Sequence, residues 1–253
     1  MSTQAAPRAA TTGRRVMAQA RYETLAMLRN GEQLLVALII PAMVLLGLTM
    51  TSFVPLGQGR RIDLAVPGVL ALCVISSAFT GVAIATGFDR RYGVLRLLGS
   101  TPLGRVGLLA AKAVAVLCVV ALQFAVIGGL GLALGWEPSW RGIPAAVVAT
   151  LLGTWAFVAL ALLLGGTVRA EGVLALANLA WVVLLALGGV VVASSRLPPG
   201  LSHLAELLPS GALGDSLRAA FLHGHARVGE WLVMLLWALL ASVLASRLFR
   251  WSD

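Results

Sequence analysis

Residues 88–112 read FDRRYGVLRLLGSTPLGRVGLLAAK, and the chain is organised around them. This stretch carries five basic residues and one acidic residue, and an apolar run lies on each side of it. Each run is long enough to cross a bilayer, whose hydrocarbon core needs roughly 20 apolar residues in a helix. The stretch is therefore the polar connection between two membrane spans.

The composition indicates an integral membrane protein. The chain is 59% hydrophobic and 11% charged, with a mean hydropathy of +0.95, whereas a soluble domain contains about 25% charged residues. The net charge of +9 comes from basic residues in short segments beside apolar runs. Lipid headgroups and the positive-inside rule account for that placement, so we expect no nucleic-acid partner. Cys73 and Cys118 lie inside apolar runs and predict neither a disulfide framework nor a metal site.

The hydropathy pattern predicts an all-α polytopic protein with six transmembrane helices. The expected spans are 33–54, 64–88, 108–134, 142–168, 173–193 and 231–246. Residues 1–32 precede them as a tail and a helix in which Met17, Leu25 and Leu28 recur at helical spacing among arginines. Such an amphipathic helix is expected to lie along the membrane interface. The alternative is a plain solvated leader.

The distribution of basic residues predicts the orientation. Six spans place both termini on one side of the membrane. If that side is the cytoplasm, it holds 13 of the 19 Lys and Arg residues. The ten acidic residues divide equally between the two sides. Basic residues accumulate on the cytoplasmic side of membrane proteins. We therefore expect a multi-pass protein of a bacterial plasma membrane with cytoplasmic termini.

The span interiors contain no charged residue or histidine. A proton- or sodium-coupled carrier needs a titratable or ion-binding group at depth, and a hydrolase needs a nucleophile with a base or metal. The pattern argues against both classes. Gln123 and Asn178 are the most polar interior residues. They either form hydrogen bonds between helices or line a substrate pathway.

The connection at 88–112 resembles the loop between the second and third spans of type 2 ATP-binding cassette (ABC) exporter permeases. In that family an acidic, arginine-rich turn precedes Gly-Thr-Leu, a short amphipathic helix, Thr-Pro-Leu and a lysine. The matching residues here are Asp89, Gly93, Leu95, Thr101, Pro102, Leu103 and Lys112. The chain departs at Arg91, where a second acid is usual, and at Val94, where threonine is usual. These departures suggest a partner groove of altered charge.

The resemblance implies that residues 89–107 form a cytoplasmic segment that couples the spans to an ATPase. The residues carried over or adjacent in this role are Asp89, Arg90, Arg91, Tyr92, Gly93, Leu95, Arg96, Thr101, Pro102 and Leu103. Helical spacing of Tyr92, Leu95 and Leu98 predicts a short amphipathic helix here, which Pro102 ends. The alternative is a basic loop that rests on anionic lipid.

The chain carries no phosphate-binding loop of its own in this stretch. The glycine spacing of residues 99–104 is followed by Arg105 and Val106 rather than by Lys and Ser or Thr. We therefore expect no cofactor in this chain. ATP and Mg²⁺ would be bound by a separate nucleotide-binding subunit.

Residues 194–230 form a long connection before the last span, expected on the outer side. Its prolines predict two short helices, one after Pro198 and Pro199 and one after Pro209, where Ser210 is a candidate cap and Leu213 lies on the apolar face. The resemblance implies a re-entrant pair that closes the outer mouth, with Pro198, Pro199, Pro209 and Leu213 as the gate. Asp215 and Arg218 are spaced to pair. His223 and His225 invite a metal site with His203, but these two histidines lack a nearby acid or cysteine, so no metal site is expected.

Together these features predict a single permease domain over residues 1–253. It would export a hydrophobic or amphipathic compound such as a drug, antibiotic or lipid-like molecule, with two ATPase subunits, a second permease copy or homologue, and membrane lipids as partners. The alternatives are a lipid or polysaccharide exporter of the same type, and a membrane assembly factor that transports nothing.

Overall fold

The computed structural model describes residues 10–52, 54–99 and 101–249. Every regular element in these ranges is helical, which confirms the all-α prediction. The helices are α1 (Thr12–Arg29), α2 (Gly31–Met50), α3 (Arg61–Ile75), α4 (Val82–Arg91), α5 (Val94–Gly99), α6 (Gly104–Ala133), α7 (Ile143–Thr167), α8 (Ala170–Leu187), α9 (Pro199–Leu207), α10 (Pro209–His223) and α11 (Val228–Leu248). A π-helical segment, Ser76–Gly81, joins α3 to α4, and short 3₁₀ turns occupy Trp140–Gly142 and Ser194–Arg196.

Within the described residues, four continuous helices are long and apolar enough to cross a membrane. They are Arg61–Arg91, Val106–Ala133, Trp140–Thr167 and Val228–Leu248. The pair α1 and α2, bent by 68°, provides a fifth candidate, and α8 is a shorter apolar helix. At 1.5 Å per residue, the 18 residues of α8 extend about 27 Å, close to the hydrocarbon thickness. The arrangement is compatible with six spans and makes the chain a multi-pass membrane protein.

Helix α1 is bent by 68° from α2. This angle suits a position of α1 along the membrane interface if α2 alone crosses the membrane, and the interfacial position stays a prediction. One face of α1 does not meet lipid, however. Ala20 is buried where α1 packs along the start of α6, while Met17 and Tyr22 remain exposed on other faces. The N-terminal helix is thus docked on the span that follows the coupling segment.

Helix α7 lies at the centre of the bundle and packs against α4, α10 and α11. Most of its buried residues are small, and small residues allow backbones to approach closely in a membrane. A Cβ atom added at Gly165 would lie 2.8 Å from the carbonyl oxygen of Ala83 in α4, and one added at Gly153 would lie 2.9 Å from Leu213 in α10. These glycines set how near α4 and α10 come to the central helix.

Candidate coupling site

The coupling segment begins inside a helix. Asp89, Arg90 and Arg91 form the last turn of α4, and Tyr92 is its C-cap. Gly93 then adopts φ +76°, a left-handed conformation that glycine adopts readily. Because the chain turns at Gly93, α5 starts at Val94, and the prediction that Tyr92 belongs to this short helix is wrong. Tyr92 instead stacks on Phe88, with ring centroids 6.1 Å apart.

The short helix α5 is amphipathic, as predicted. Leu95 is buried against the bundle, whereas Arg96 and Leu97 are exposed. The hydroxyl of Thr101 donates to the carbonyl oxygen of Leu98 at 2.6 Å and terminates the turn. Pro102 follows at the surface, and its carbonyl oxygen accepts a hydrogen bond from Arg15 of α1 at 3.0 Å.

Several apolar side chains remain exposed on this connection. Tyr92 is 73% exposed, Leu97 70% and Val106 77%. With the exposed guanidinium of Arg96 they form what we call the coupling patch: Tyr92, Arg96, Leu97 and Val106. Of the predicted coupling residues, Arg90 and Leu95 are buried and contact this chain rather than solvent.

The last turn of α4 contacts three different parts of the protein. Successive helical residues point about 100° apart, so neighbouring side chains reach different elements. Asp89 faces Lys112 of α6, Arg90 donates to the carbonyl oxygen of Val168 at 2.6 Å, and Arg91 pairs with Glu171 at the start of α8. Glu171 of the same chain therefore compensates the charge of Arg91. This ion pair supplies a local reason for an arginine where the family usually has a second acid.

Lys112 is the centre of a buried ion cluster. Its Nζ atom lies 3.1 Å from Oε1 of Glu23 and 3.4 Å from Oδ2 of Asp89. The lysine side chain is 1% exposed, that of Glu23 13% and that of Asp89 31%. An isolated buried ammonium is strongly unfavourable, and the two carboxylates provide the ion-pair partners that a buried lysine needs. The cluster joins α1, α4 and α6.

Sequence reasoning named Lys112 and Asp89 but missed Glu23. The available signal was that Glu23 is the single acidic residue of α1, in a helix that otherwise carries arginines. Gln19 donates to its Oε1 atom at 3.1 Å, which helps to orient the carboxylate toward Lys112.

Gln123 and Asn178 occupy different environments. Gln123 is fully buried; its amide nitrogen donates to the carbonyl oxygen of Ala37 at 2.9 Å, and its oxygen accepts from Ser77 at 2.9 Å. Gln123 thus connects α2, α6 and the π-helical segment. This geometry is the one expected if Gln123 forms hydrogen bonds between helices. Asn178 lies on the exposed face of α8, beside Leu174. A pathway role for either residue stays a prediction.

The two helices before the last span are α9 and α10, separated at Leu208. Pro198 is the N-cap of α9, and Pro199 and Pro209 are the first residues of α9 and α10. Ser210 does not cap α10, because Leu208 holds the N-cap position; the capping prediction is wrong. Leu213 is fully buried against α7. Helix α10 is buried from Pro209 to Ala220, deeper than its loop-like sequence indicates.

A buried polar network holds this helical pair in place. Arg218 pairs with Asp215 at 3.0 Å, as the spacing predicts, and also donates to the carbonyl oxygens of Gly189, at 3.0 Å, and Val190. Asp215 in turn accepts from the hydroxyl of Ser194. The network thereby ties α10 to the chain segment that follows α8. Nothing in the sequence spacing identified Ser194 as a partner.

The position of the coupling segment relative to this network follows from the topology. The last turn of α4 and the start of α6 lie at one end of the spans, and the start of α7 and the end of α10 lie at the other, where Ser139 donates to the carbonyl oxygen of Phe221 at 2.7 Å. The two polar clusters therefore lie at opposite ends of the bundle.

Comparison with known sequences assigns the chain. No curated protein sequence matches it. A family model described as ABC-2 type transporter matches residues 14–222, which include every helix from α2 to α9, nearly all of α1 and α10, and the whole coupling segment. Permeases of this family are the membrane components of ABC transporters and work with a separate ATPase. The chain therefore belongs to the ABC-2 type transporter family and is a membrane-spanning ABC transporter permease.

Proposed function

We propose that this permease exports a hydrophobic or amphipathic compound, and that its partner ATPase drives it through residues 89–107. The observation that carries the proposal is the last turn of α4. Its three residues contact α6, the link between α7 and α8, and α8 itself. A displacement of this turn would act on several spans at once.

The coupling patch supplies the contact surface for the ATPase. Tyr92, Leu97 and Val106 expose apolar area at a polar end of the bundle, and Arg96 adds a positive charge. A groove with an apolar floor and an acidic rim complements this surface, as in the recognition of amphipathic helices by grooves. Two ATPase subunits, each binding ATP with Mg²⁺, would engage the patches of two permeases.

The connections behind the patch suit the transfer of movement. Helix α4 continues through the π-helical segment into α3 without a loop, and α5 is separated from α6 by a short turn. Through Glu23 the same unit includes α1. Closure of the ATPases would therefore move α1, α4 and α6 together, in the manner of a packed rigid element.

The nature of the cargo is inferred from the chemistry of the spans. Their middle sections carry hydroxyl and amide groups but no charged side chain, so they offer no partner to a strongly charged molecule. A drug, an antibiotic or a lipid-like compound fits this interior. The distribution of basic residues supports cytoplasmic termini, and export across a bacterial plasma membrane is part of the proposal.

The test is co-purification of the tagged permease from its native membranes, followed by an ATPase assay of the eluate. We expect a vanadate-sensitive ATPase to be recovered with the wild-type protein and largely lost with Arg96→Glu, which reverses the patch charge. Arg21→Glu is the matched control, since Arg21 is an exposed arginine of α1 outside the patch. Recovery of intact permease without ATPase would support the assembly-factor alternative and contradict the proposal. Equal losses with both variants would contradict the role of the patch.

A further inference from the structure

A partly open cavity lies at the end of the bundle opposite the coupling patch. Its volume is about 350 Å³, and its walls come from the start of α3, the segment after α8, and the C-terminal half of α10 with the turn that follows. Apolar side chains such as Leu56, Leu64 and Leu222 line part of it. Arg196 and Arg227 also belong to the lining.

Two charged residues of the cavity lining pair with each other. Asp215 and Arg218 both face the cavity, but they neutralise one another at 3.0 Å. The remaining hydrogen-bonding capacity of the pair is directed to Ser194 and to the carbonyl oxygens of Gly189 and Val190. The single acidic residue of the lining therefore does not cancel the charge of the surrounding arginines.

Among the described residues that line the cavity, Arg196 is a cation without a carboxylate partner. In the part of the chain that the structure describes, no carboxylate forms a salt bridge with it, whereas Arg227 is paired with Glu230 at 2.9 Å. Its guanidinium lies against Gly57, where an added Cβ atom would be 2.6 Å from the guanidinium carbon. The glycine thus leaves room for a planar cation at the rim.

Two histidines add hydrogen-bonding groups beside this arginine. His223 and His225 line the cavity, and their rings stack with centroids 5.7 Å apart. Basic and apolar side chains in the lining of one cavity can bind an anionic headgroup together with part of its hydrocarbon chain.

We propose that this cavity binds the phosphate headgroup of an acidic amphiphile, with Arg196 as the main contact. The headgroup would lie between Arg196, Arg227 and the imidazoles, and the first part of its hydrocarbon chain would lie along Leu56 and Leu64. This site is separate from the coupling patch, and the proposal does not depend on ATP-driven export.

The test is native mass spectrometry of the purified, delipidated permease mixed with phosphatidylglycerol or phosphatidylcholine. We expect preferential retention of phosphatidylglycerol, reduced about fivefold or more by Arg196→Gln, since one arginine near a membrane surface contributes about that factor. Arg141→Gln is the matched control, because Arg141 is exposed at the same end but does not line the cavity. Arg227→Gln provides a second cavity variant in case Arg196→Gln does not fold.

Inorganic phosphate distinguishes the two sources of the anion. Displacement of phosphatidylglycerol by phosphate alone would support a site for the phosphate group itself, filled by free phosphate or by a headgroup. Retention in the presence of phosphate, with the preference over phosphatidylcholine intact, would support a lipid site. Equal retention of both lipids, or an equal loss with Arg141→Gln and the cavity variants, would overturn the proposal.

Discussion

Replacement of Lys112 by methionine tests the buried ion cluster most directly. The substitution keeps most of the side-chain volume and removes the cation, so Glu23 and Asp89 are left facing each other without compensation. Removing one partner of a buried pair costs about 3–5 kcal/mol. Because Asp89 is 31% exposed, water screens part of this loss, and we expect about 3 kcal/mol.

Thermal unfolding of the detergent-purified permease measures this loss. For a chain of this length about 1 kcal/mol corresponds to 2–4 °C, so Tm should fall by about 6–12 °C. In the Lys112→Met background, Glu23→Gln removes the more buried of the two carboxylates and should restore a large part of the lost Tm. Arg21→Met is the control for loss of a positive charge at an exposed position of α1 and should leave Tm unchanged.

The cluster is also expected to matter for coupling. In the complex with its ATPase, Lys112→Met should weaken the stimulation of ATP hydrolysis by cargo, because α1 and α6 would no longer be joined to α4 through one cation. A fall in Tm of less than about 2 °C in Lys112→Met would refute the reasoning. Additive losses of Tm from Lys112→Met and Glu23→Gln would also refute it, because substitutions of contacting groups in one network are expected to be non-additive.

Three further substitutions probe the packing and the polar contacts. Gly165→Ala should lower the stability of the permease by about 1–3 kcal/mol, because the added Cβ atom would press on the backbone of α4. Gly129→Ala is the control and should leave stability unchanged, since its Cβ atom would meet open space. The Tm of both variants measures the difference. Gln123→Leu should cost about 1 kcal/mol by removing two interhelical hydrogen bonds, and an unchanged Tm would contradict that role. Arg91→Ala should cost less than about 1 kcal/mol, since its pair with Glu171 is exposed; a loss as large as that of Lys112→Met would show that exposure is a poor guide here.

The helical class and the approximate spans were predictable because they depend on local properties. A long apolar run in a membrane has to satisfy its backbone hydrogen bonds internally, and a helix does so within the run itself. That the coupling helix ends before Pro102 was predictable for the same reason, since proline acts on its own neighbours, and α5 ends at Gly99. The start of that helix was predicted two residues early because the left-handed turn at Gly93 was not recognised.

The partners of the charged side chains were much harder to predict. Asp215 and Arg218 were paired correctly because they are three residues apart on one helix. Lys112 and Glu23 are 89 residues apart, and Arg91 and Glu171 are 80 apart. No periodicity connects positions so far apart in the sequence. The sequence therefore suggested that Arg91 faces a partner protein of altered charge, whereas in the folded chain Arg91 pairs with Glu171.

By itself, therefore, the sequence determined a polytopic helical protein, the approximate positions of its apolar runs and the residues that resemble a coupling segment. Those properties come from hydropathy, turn chemistry and spacing within a few helical turns. Only the tertiary structure decided that α1 is docked on α6, that Glu23 and Asp89 compensate Lys112, and that Arg196 lines a cavity at the opposite end. Those contacts depend on which helix faces pack together, and that choice is made by the close fit of many small residues over the whole bundle.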